Sequence, residues 1–407
     1  MQKKLAIVIV LLISLIVSCS PKGYQVPKPP SAKISATRLQ VTGKSEAFIE
    51  ETQLLSLSLD GKWLFGQKLE SICIYEAATL TEKVCVPWKS TLDPKTIAWS
   101  PDSQQVAFTE NLDSLTESDL WVLKIATGTL SDLTNDGLDG DLTTALQRAK
   151  AETKTMSLDS LPAWSPDGKT LSFIRSLYGD IKQTYLCTIP AAGGKVTKLI
   201  IADDEQALAV WHGMRWTPDG KKILFTINVL EDDSGKNGIW IVDKDGKNFK
   251  QLAGEKEGWG YVALYDLSAK GDKALIGYPR AITFSSNNPN LCFFELLDLT
   301  TGEITPIMGG TTGDALTGAP RDYFSPTQAV FSPDGSKILY HYNLGSKDQL
   351  TPQLVVQDVI GNNAEVLGDW SIYSGADVGS SLFWAANDTI YIISGPGAGT
   401  LYQLSSK

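Results

Sequence analysis

Residues 329–342 read AVFSPDGSKILYHY, and the chain repeats this stretch with decay. Aligned copies read LSLSLDGKWLFGQ from Leu55, TIAWSPDSQQVAFTE from Thr96, PAWSPDGKTLSFIR from Pro162 and MRWTPDGKKILFTI from Met214. Fainter copies read YDLSAKGDKALIGY from Tyr265 and LFWAANDTIYIIS from Leu382. Ser-Pro-Asp-Gly suits a type I β-turn: Ser at the first position, Pro fixing φ at the second, Gly at the fourth. An apolar residue precedes each turn (Leu57, Trp99, Trp164, Trp216, Leu267, Phe331, Trp384), and a β-branched and aromatic run follows it. Strand, tight turn, strand reads as a hairpin. The turn carboxylates Asp60, Asp102, Asp167, Asp219 and Asp334 form a series, for which Asp as an ordinary turn former is the structural explanation.

The turns recur at spacings of 42 to 65 residues, a repeat array whose variable excess maps to loops. After each hairpin comes a further apolar run: SICIYE, DLWVLK, YLCTIP, GIWIVD, NLCFFE, QLVVQD and TLYQLS. A weaker one follows in six of the seven: KVCVPW, LSDLT, KVTKLI, FKQLAG, EITPIM and AEVLG. Four antiparallel strands repeated seven times predict an all-β fold, a seven-bladed β-propeller. The last repeat stops after TLYQLSSK and lacks a fourth strand, whereas ATRLQVTG (36–43) is a spare β-like segment. Pairing it outside 401–404 would close the ring with an N-terminal strand.

The W-S-P-D-G-K core resembles the β-propeller repeat of the TolB family, which is also found in the propellers of dipeptidyl- and oligopeptidase families. The resemblance covers about residues 37–407. It implies the fold and leaves activity open, because one fold hosts many functions.

Ahead of the repeats, Lys3 and Lys4 precede an apolar run, 5–17, that is short for a membrane span and typical of a signal peptide. It ends Ile16-Val17-Ser18-Cys19, which resembles the bacterial lipobox. That resemblance implies lipidation of Cys19, a membrane anchor on the extracytoplasmic side, and the outer membrane where the host has one. An ordinary signal peptide or anchor with an incidental cysteine is the alternative. The expected organisation is a signal peptide at 1–19, a Pro-rich tether at 20–35 and the propeller at 36–407. Fully extended, the tether reaches about 50 Å. Of the other cysteines, Cys73 and Cys85 flank a turn in the first repeat, where a cross-strand disulfide is plausible in an exported protein. Cys187 and Cys292 occupy the repeat position of Trp121 and Trp240 and read as buried filling.

A net charge of −10 argues against nucleic-acid binding. The chain holds only two histidines, His212 and His341, and no G-x-S-x-G elbow, phosphate loop or Cys-x-x-Cys pair. Propeller lyases with this kind of repeat use clustered histidines around a metal, and two distant ones make no cluster, so no cofactor or metal is expected. A convergent carboxylate pair of the glycosidase kind stays open. The segment 135–160 reads as a loop and one short helix over LTTALQRAKAETK; Asp136, Asp139 and Asp141 lack EF-hand spacing and suit a solvated helix N-terminus. Residues 309–328 form a long Gly-rich loop.

The richer signal is aromatic. Trp211 and His212, Trp259 and Tyr261, Arg321, Asp322 and Tyr323, and Tyr373 lie in the segments leading into the first strands of repeats 4 to 7. On one propeller face they would suit a protein or glycan partner, or they pack between blades as large aromatics commonly do. The expectation is a monomeric, non-catalytic binding module, with an envelope enzyme on polysaccharide or peptide as the alternative and an assembly factor as a third possibility. Every long connection is expected on one face (109–118, 135–161, 202–213, 279–290, 308–328 and 342–352), opposite the short SPDG-type turns.

Overall fold

The computed structural model describes residues 51–110, 118–138, 142–152, 154–178, 183–202, 213–227, 236–254, 262–277, 291–311, 328–346, 349–359, 364–369, 381–386, 389–393 and 401–404. The closing segment 36–43, the tether and Cys19 lie outside them.

The described strands form seven antiparallel sheets, each a meander in chain order. Sheet 1 is β1 (Gln53–Leu57), β2 (Trp63–Lys68), β3 (Ser71–Glu76) and β4 (Glu82–Pro87). Sheet 2 is β5 (Ala98–Trp99), β6 (Gln105–Thr109), β7 (Leu120–Lys124) and β8 (Thr129–Asp132). After helix α1 (Leu142–Glu152), sheet 3 is β9 (Met156–Trp164), β10 (Thr170–Tyr178), β11 (Gln183–Pro190) and β12 (Thr197–Ala202). Sheet 4 is β13 (Met214–Trp216), β14 (Lys222–Ile227), β15 (Gly238–Asp243) and β16 (Lys250–Gly254). Sheet 5 is β17 (Ala263–Leu267), β18 (Lys273–Gly277), β19 (Leu291–Asp298) and β20 (Ile304–Thr311). Sheet 6 is β21 (Ala329–Phe331), β22 (Lys337–Ser346), β23 (Gln349–Asp358) and β24 (Ala364–Asp369). Sheet 7 has three strands, β25 (Ser381–Trp384), β26 (Ile390–Ile393) and β27 (Leu401–Leu404).

The repeated turn explains why each sheet starts as it does. In sheet 6 the Ser332 hydroxyl donates to Asp334 at 2.6 Å, Asp334 accepts the Ser336 amide at 2.9 Å, and Ser332 Oγ accepts the Lys337 amide at 2.9 Å. The same three contacts recur around Asp60, Asp102, Asp167 and Asp219. The fourth residue turns left-handed, as in Gly335 at φ +71°, where a side chain would be strained. Ser103 stands in that place in sheet 2 at φ +56° and uses its hydroxyl to accept the Asp60 amide of the neighbouring turn. The turn carboxylates are therefore structural, and the Ser332 hydroxyl and the Ser336 amide and hydroxyl hold Asp334 at about 2.

Burial orders the sheets. The second and third strands are apolar on both faces, as in Lys222–Ile227 (KILFTI), because each sheet is covered by a neighbour on either side. Apolar clusters join sheets 1 and 2, 2 and 3, 3 and 4, 4 and 5, 5 and 6, and 6 and 7. A further cluster joins the first sheet to the last: Leu54, Leu57, Leu64 and Tyr75 pack with Ala385, Tyr391, Ile393 and Leu401. There the Ala386 amide donates to Leu59 O at 3.1 Å. Three pre-turn tryptophans reach back to the preceding sheet: Trp99 Nε1 donates to Ser56 Oγ, Trp164 Nε1 to Ala98 O and Trp216 Nε1 to Ser172 Oγ and Ala163 O. These rings pack between sheets, and Trp384 packs against the cluster joining sheets 6 and 7.

The two faces differ sharply. Connections between first and second and between third and fourth strands are four to six residues long throughout. The longer connections, α1 among them, join strand ends on the opposite face. One expected loop is corrected: most of 342–352 continues the β22–β23 hairpin, paired from Lys337↔Asp358 to Ser346↔Gln349. No helix among the described residues is long and apolar enough to cross a membrane.

Candidate functional site

Two things stand out among the described residues on the long-connection face: a buried polar junction between sheets 2 and 3, and two hairpins whose ladders are longer than the others.

The junction starts where β6 ends. Glu110 is 8% exposed; its Oε2 accepts the Asp119 amide at 3.0 Å and its Oε1 accepts Trp121 Nε1 at 2.9 Å. Burial pushes this carboxyl up to about 7, more than the two donors and its own backbone hold it down, and Asp132 adds to the rise. Next to it, Thr134 Oγ1 accepts the Leu120 amide at 2.8 Å and donates to Asp119 Oδ1 at 3.1 Å. The junction crosses to sheet 3 through Ser118, whose hydroxyl donates to Asp159 O while its carbonyl accepts the Asp159 amide, both at 2.8 Å. The wholly buried Asp159 carboxylate then takes two bonds of 2.7 Å from Arg175, directly opposite on β10. Burial pushes the Asp159 carboxyl up and the guanidinium opposes it.

As built, this junction is a strut. Both Glu110 oxygens already accept a bond, and Asp159 is closed to solvent. It anchors β9 of sheet 3 to the start of β7. The insertion after it is held likewise: Asp136 accepts the Leu138 amide and both the amide and hydroxyl of Ser157, while Leu138, Ala145, Ala149, Met156 and Leu158 form a small core. Asp136 therefore staples a loop to β9, and no acidic residue sits in the first turn of α1. Asp139 and Asp141 lie outside the described residues.

A second charged pair bridges the first strands of sheets 4, 5 and 6. Arg215 Nη2 donates to Tyr265 O at 3.0 Å, Arg215 Nε lies 3.6 Å from Asp266 Oδ1, and Asp266 Oδ2 accepts the Phe331 amide at 2.9 Å. Arg215 stays 43% exposed, so its guanidinium keeps donor capacity toward solvent.

The longer hairpins belong to sheets 3 and 6. The second and third strands pair over eight positions in sheet 3 and ten in sheet 6, against six in sheets 1 and 4. The extra length carries Ser176, Leu177, Gln183 and Thr184 on one side and 343–346 with 349–352, NLGS and QLTP, on the other. No charged residue occurs in either extension; between the paired segments the sequence has Asp180 and Lys182 in one and Lys347 and Asp348 in the other, outside the described residues.

Of the residues singled out in the sequence, Cys73 and Cys85 face each other across β3 and β4 and are joined by a disulfide. Cys187 is fully buried, and burial pushes its thiol up to about 12, an inert packing residue. Trp211, His212, Trp259, Tyr261, Arg321, Asp322, Tyr323 and Tyr373 all lie outside the described residues, as do the side chains of Cys292 and His341. Among the described residues one set of three ligating side chains converges, Cys73, Glu82 and Cys85, and the disulfide consumes both thiols. The junction acids and Arg175 belong to no motif in the sequence. Their signal was a charge set inside an apolar strand, as in MSLDSLPAW and TLSFIRSLY.

Comparison with known proteins agrees with this architecture. The family model for the dipeptidyl peptidase IV N-terminal region matches residues 69–198. A protein described as an uncharacterized peptidase, YuxL of Bacillus subtilis (strain 168), is 28% identical over 193 residues, 46% of this chain and 22% of that one. The match thus spans about a fifth of that relative's length. An oligogalacturonate lyase from Vibrio parahaemolyticus superposes with a TM-score of 0.60 at 13% identity, over 92% of this chain and 95% of that one. The β-propeller domain of the Trilobed protease from Pyrococcus furiosus, described as having an open velcro topology, superposes at 0.52 and 13% identity, over 88% and 95%. TolB from Acinetobacter baumannii is a looser neighbour at 0.44 and 18% identity, over 77% and 64%. The fold is an all-β propeller of mostly four-stranded antiparallel sheets.

Proposed function

We propose that the seven sheets close into one ring and that the chain is a lipid-anchored module of the cell envelope which binds a glycan on its long-connection face. The observation that carries this reading is the pair of longer hairpins in sheets 3 and 6. Their extensions, Ser176, Leu177, Gln183 and Thr184 in one and NLGS with QLTP in the other, carry no charged residue, a composition suited to a neutral polyhydroxylated ligand. In a seven-membered ring those two sheets stand on opposite sides of the axis, so the hairpins form the walls of a trough. Trp259, Tyr261 and Tyr323 would supply stacking surfaces for sugar rings on the same face, with Trp211, His212, Arg321, Asp322 and Tyr373 around them. Closure uses the packing of sheet 7 on sheet 1 and adds 36–43 as the missing fourth strand of sheet 7. That strand would begin on the short-turn face, so the tether from Cys19 leaves there and the hairpins point away from the membrane.

A second reading, an envelope lyase or hydrolase acting on polysaccharide, is favoured by the breadth of the match to the oligogalacturonate lyase. Calorimetric titration with envelope oligosaccharides, run beside an assay for released product, separates the two. Saturable binding without product supports the binding module; sustained release supports the enzyme. Replacing Trp259, Tyr261 and Tyr323 together by Ala should abolish binding with the melting temperature unchanged. Unchanged binding in that variant, alongside loss in a variant of the SPDG-type turns, would reverse the assignment of faces.

A further inference from the structure

The short-turn face is uniform in its backbone and uneven in its charge. Around sheets 3 to 5 its turns carry Lys169, Lys221, Lys244, Lys247 and Lys270, with Lys250 opening β16, beside Asp167, Asp219, Asp245, Asp272 and Glu303, in a chain whose net charge is −10. Lys221 and Lys247 are spoken for by Asp219 and Asp245, at 3.5 and 2.9 Å. Lys244, Lys250 and Lys270 have no carboxylate within ion-pair distance among the described residues. Two adjoining clefts run between the turns of these sheets. The charged lining of one, of about 350 Å³, is Asp167, Asp219 and Lys244, and that of the other, of about 290 Å³, is Asp219, Lys222, Lys250 and Lys270. Ile241, Leu252, Leu299 and Thr300 complete the lining of the second with apolar and hydroxyl groups. Asp219 lines both clefts and stays ionised under the bonds from the Thr217 hydroxyl and the Lys221 amide, and Asp167 joins it in the first, so the surplus of positive charge lies in the second cleft, at Lys250 and Lys270.

We infer that this patch is a docking surface for an anionic lipid bilayer, with Lys244, Lys250 and Lys270 on the phosphates of lipid headgroups. The inference rests on the proposed anchor at Cys19 and on the tether leaving from the short-turn face. A tether alone would let the propeller tumble; three lysines against an anionic surface hold one face down. Ammonium groups suit the task, being compact point charges on flexible stems that follow a fluid array of phosphates. Each lysine near such a surface raises affinity about fivefold, so the three together contribute about a hundredfold, screened by salt beyond about 8 Å. Docked this way, the hairpins of sheets 3 and 6 face outward.

The test is lysine-reactive footprinting of the full-length lipidated protein, reconstituted into vesicles of phosphatidylcholine alone or with 30% phosphatidylglycerol. The expected result is at least threefold lower labelling of Lys244, Lys250 and Lys270 on the anionic vesicles, reversed by 0.5 M salt, with Lys95 on the opposite face unchanged. Equal labelling on both vesicle types overturns the inference. Protection by inorganic phosphate in detergent without vesicles would also overturn it, since the cleft would then bind a free anion. Failure to float with neutral vesicles would sink the anchor and not the patch. In that case salt-sensitive flotation on anionic vesicles, lost in K244E/K250E/K270E, supports the patch, and no flotation refutes it.

Discussion

Replacing Glu110 by Gln should change how stability depends on pH, and the size of the change follows from where the carboxyl sits. Glu110 is 8% exposed, and its carboxyl is moved from an ordinary 4.5 to about 7 by burial. A raised acid means that the folded state binds the proton more tightly than the unfolded one. Its contribution is fully present below pH 4.5 and disappears as the pH rises through 7. The shift corresponds to about 3 kcal/mol over the full range, of which about 1.3 kcal/mol is lost between pH 6 and pH 8. Gln cannot ionise, so E110Q lacks this slope. Urea unfolding of both proteins at pH 6, 7 and 8 isolates the effect, because every other titrating group cancels in the difference. The stability of E110Q relative to the parent should rise by about 1 kcal/mol from pH 6 to pH 8. A pH-independent difference would show that Glu110 is not desolvated as described, and the junction would have to be more open to water.

Arg175→Met leaves the buried Asp159 carboxylate without its partner and should cost about 3–5 kcal/mol of stability, most of it recovered by adding Asp159→Asn; a double mutant no better than the single would refute the pairing. Replacing Cys73 and Cys85 by Ser should lower stability by about 2–3 kcal/mol, the loss expected for opening so short a loop, and a reductant should reproduce it in the parent protein only. Trp164→Phe removes the bond from its indole to Ala98 O and should cost about 1 kcal/mol in urea unfolding, with the fold retained. Deleting 36–43 should sharply lower the melting temperature; an unchanged melt would sink the proposed closing strand.

The turn and the blade were readable because they are local. Ser332, Asp334 and Gly335 each do what their own side chain or backbone dictates within a few residues, so the motif announces itself wherever it recurs. The tryptophan before the turn was readable as filling between blades, although its partner, Ser56 for Trp99, was not, since that contact joins residues 43 apart. The junction was invisible for the same reason: Glu110, Ser118 and Asp159 meet only once sheets 2 and 3 are packed, and nothing in their spacing announces it. The sequence of 342–352 reads as a loop because it alternates weakly and carries Gly345, Pro352 and a Lys-Asp pair, all of which mark turns in isolation. Ladder pairing from Lys337 to Ser346 overrides those marks. The disulfide was readable because the two cysteines fall at matching positions of adjacent strands, and register alone brings them together.

Hydrogen–deuterium exchange by mass spectrometry, with and without a saturating envelope oligosaccharide, tests the central claim most directly. The predicted result is slowed exchange in peptides covering 170–190 and 337–358, with the turns at 217–221 and 332–336 unaffected. Slowed exchange in those turns, with both hairpins unchanged, would contradict it.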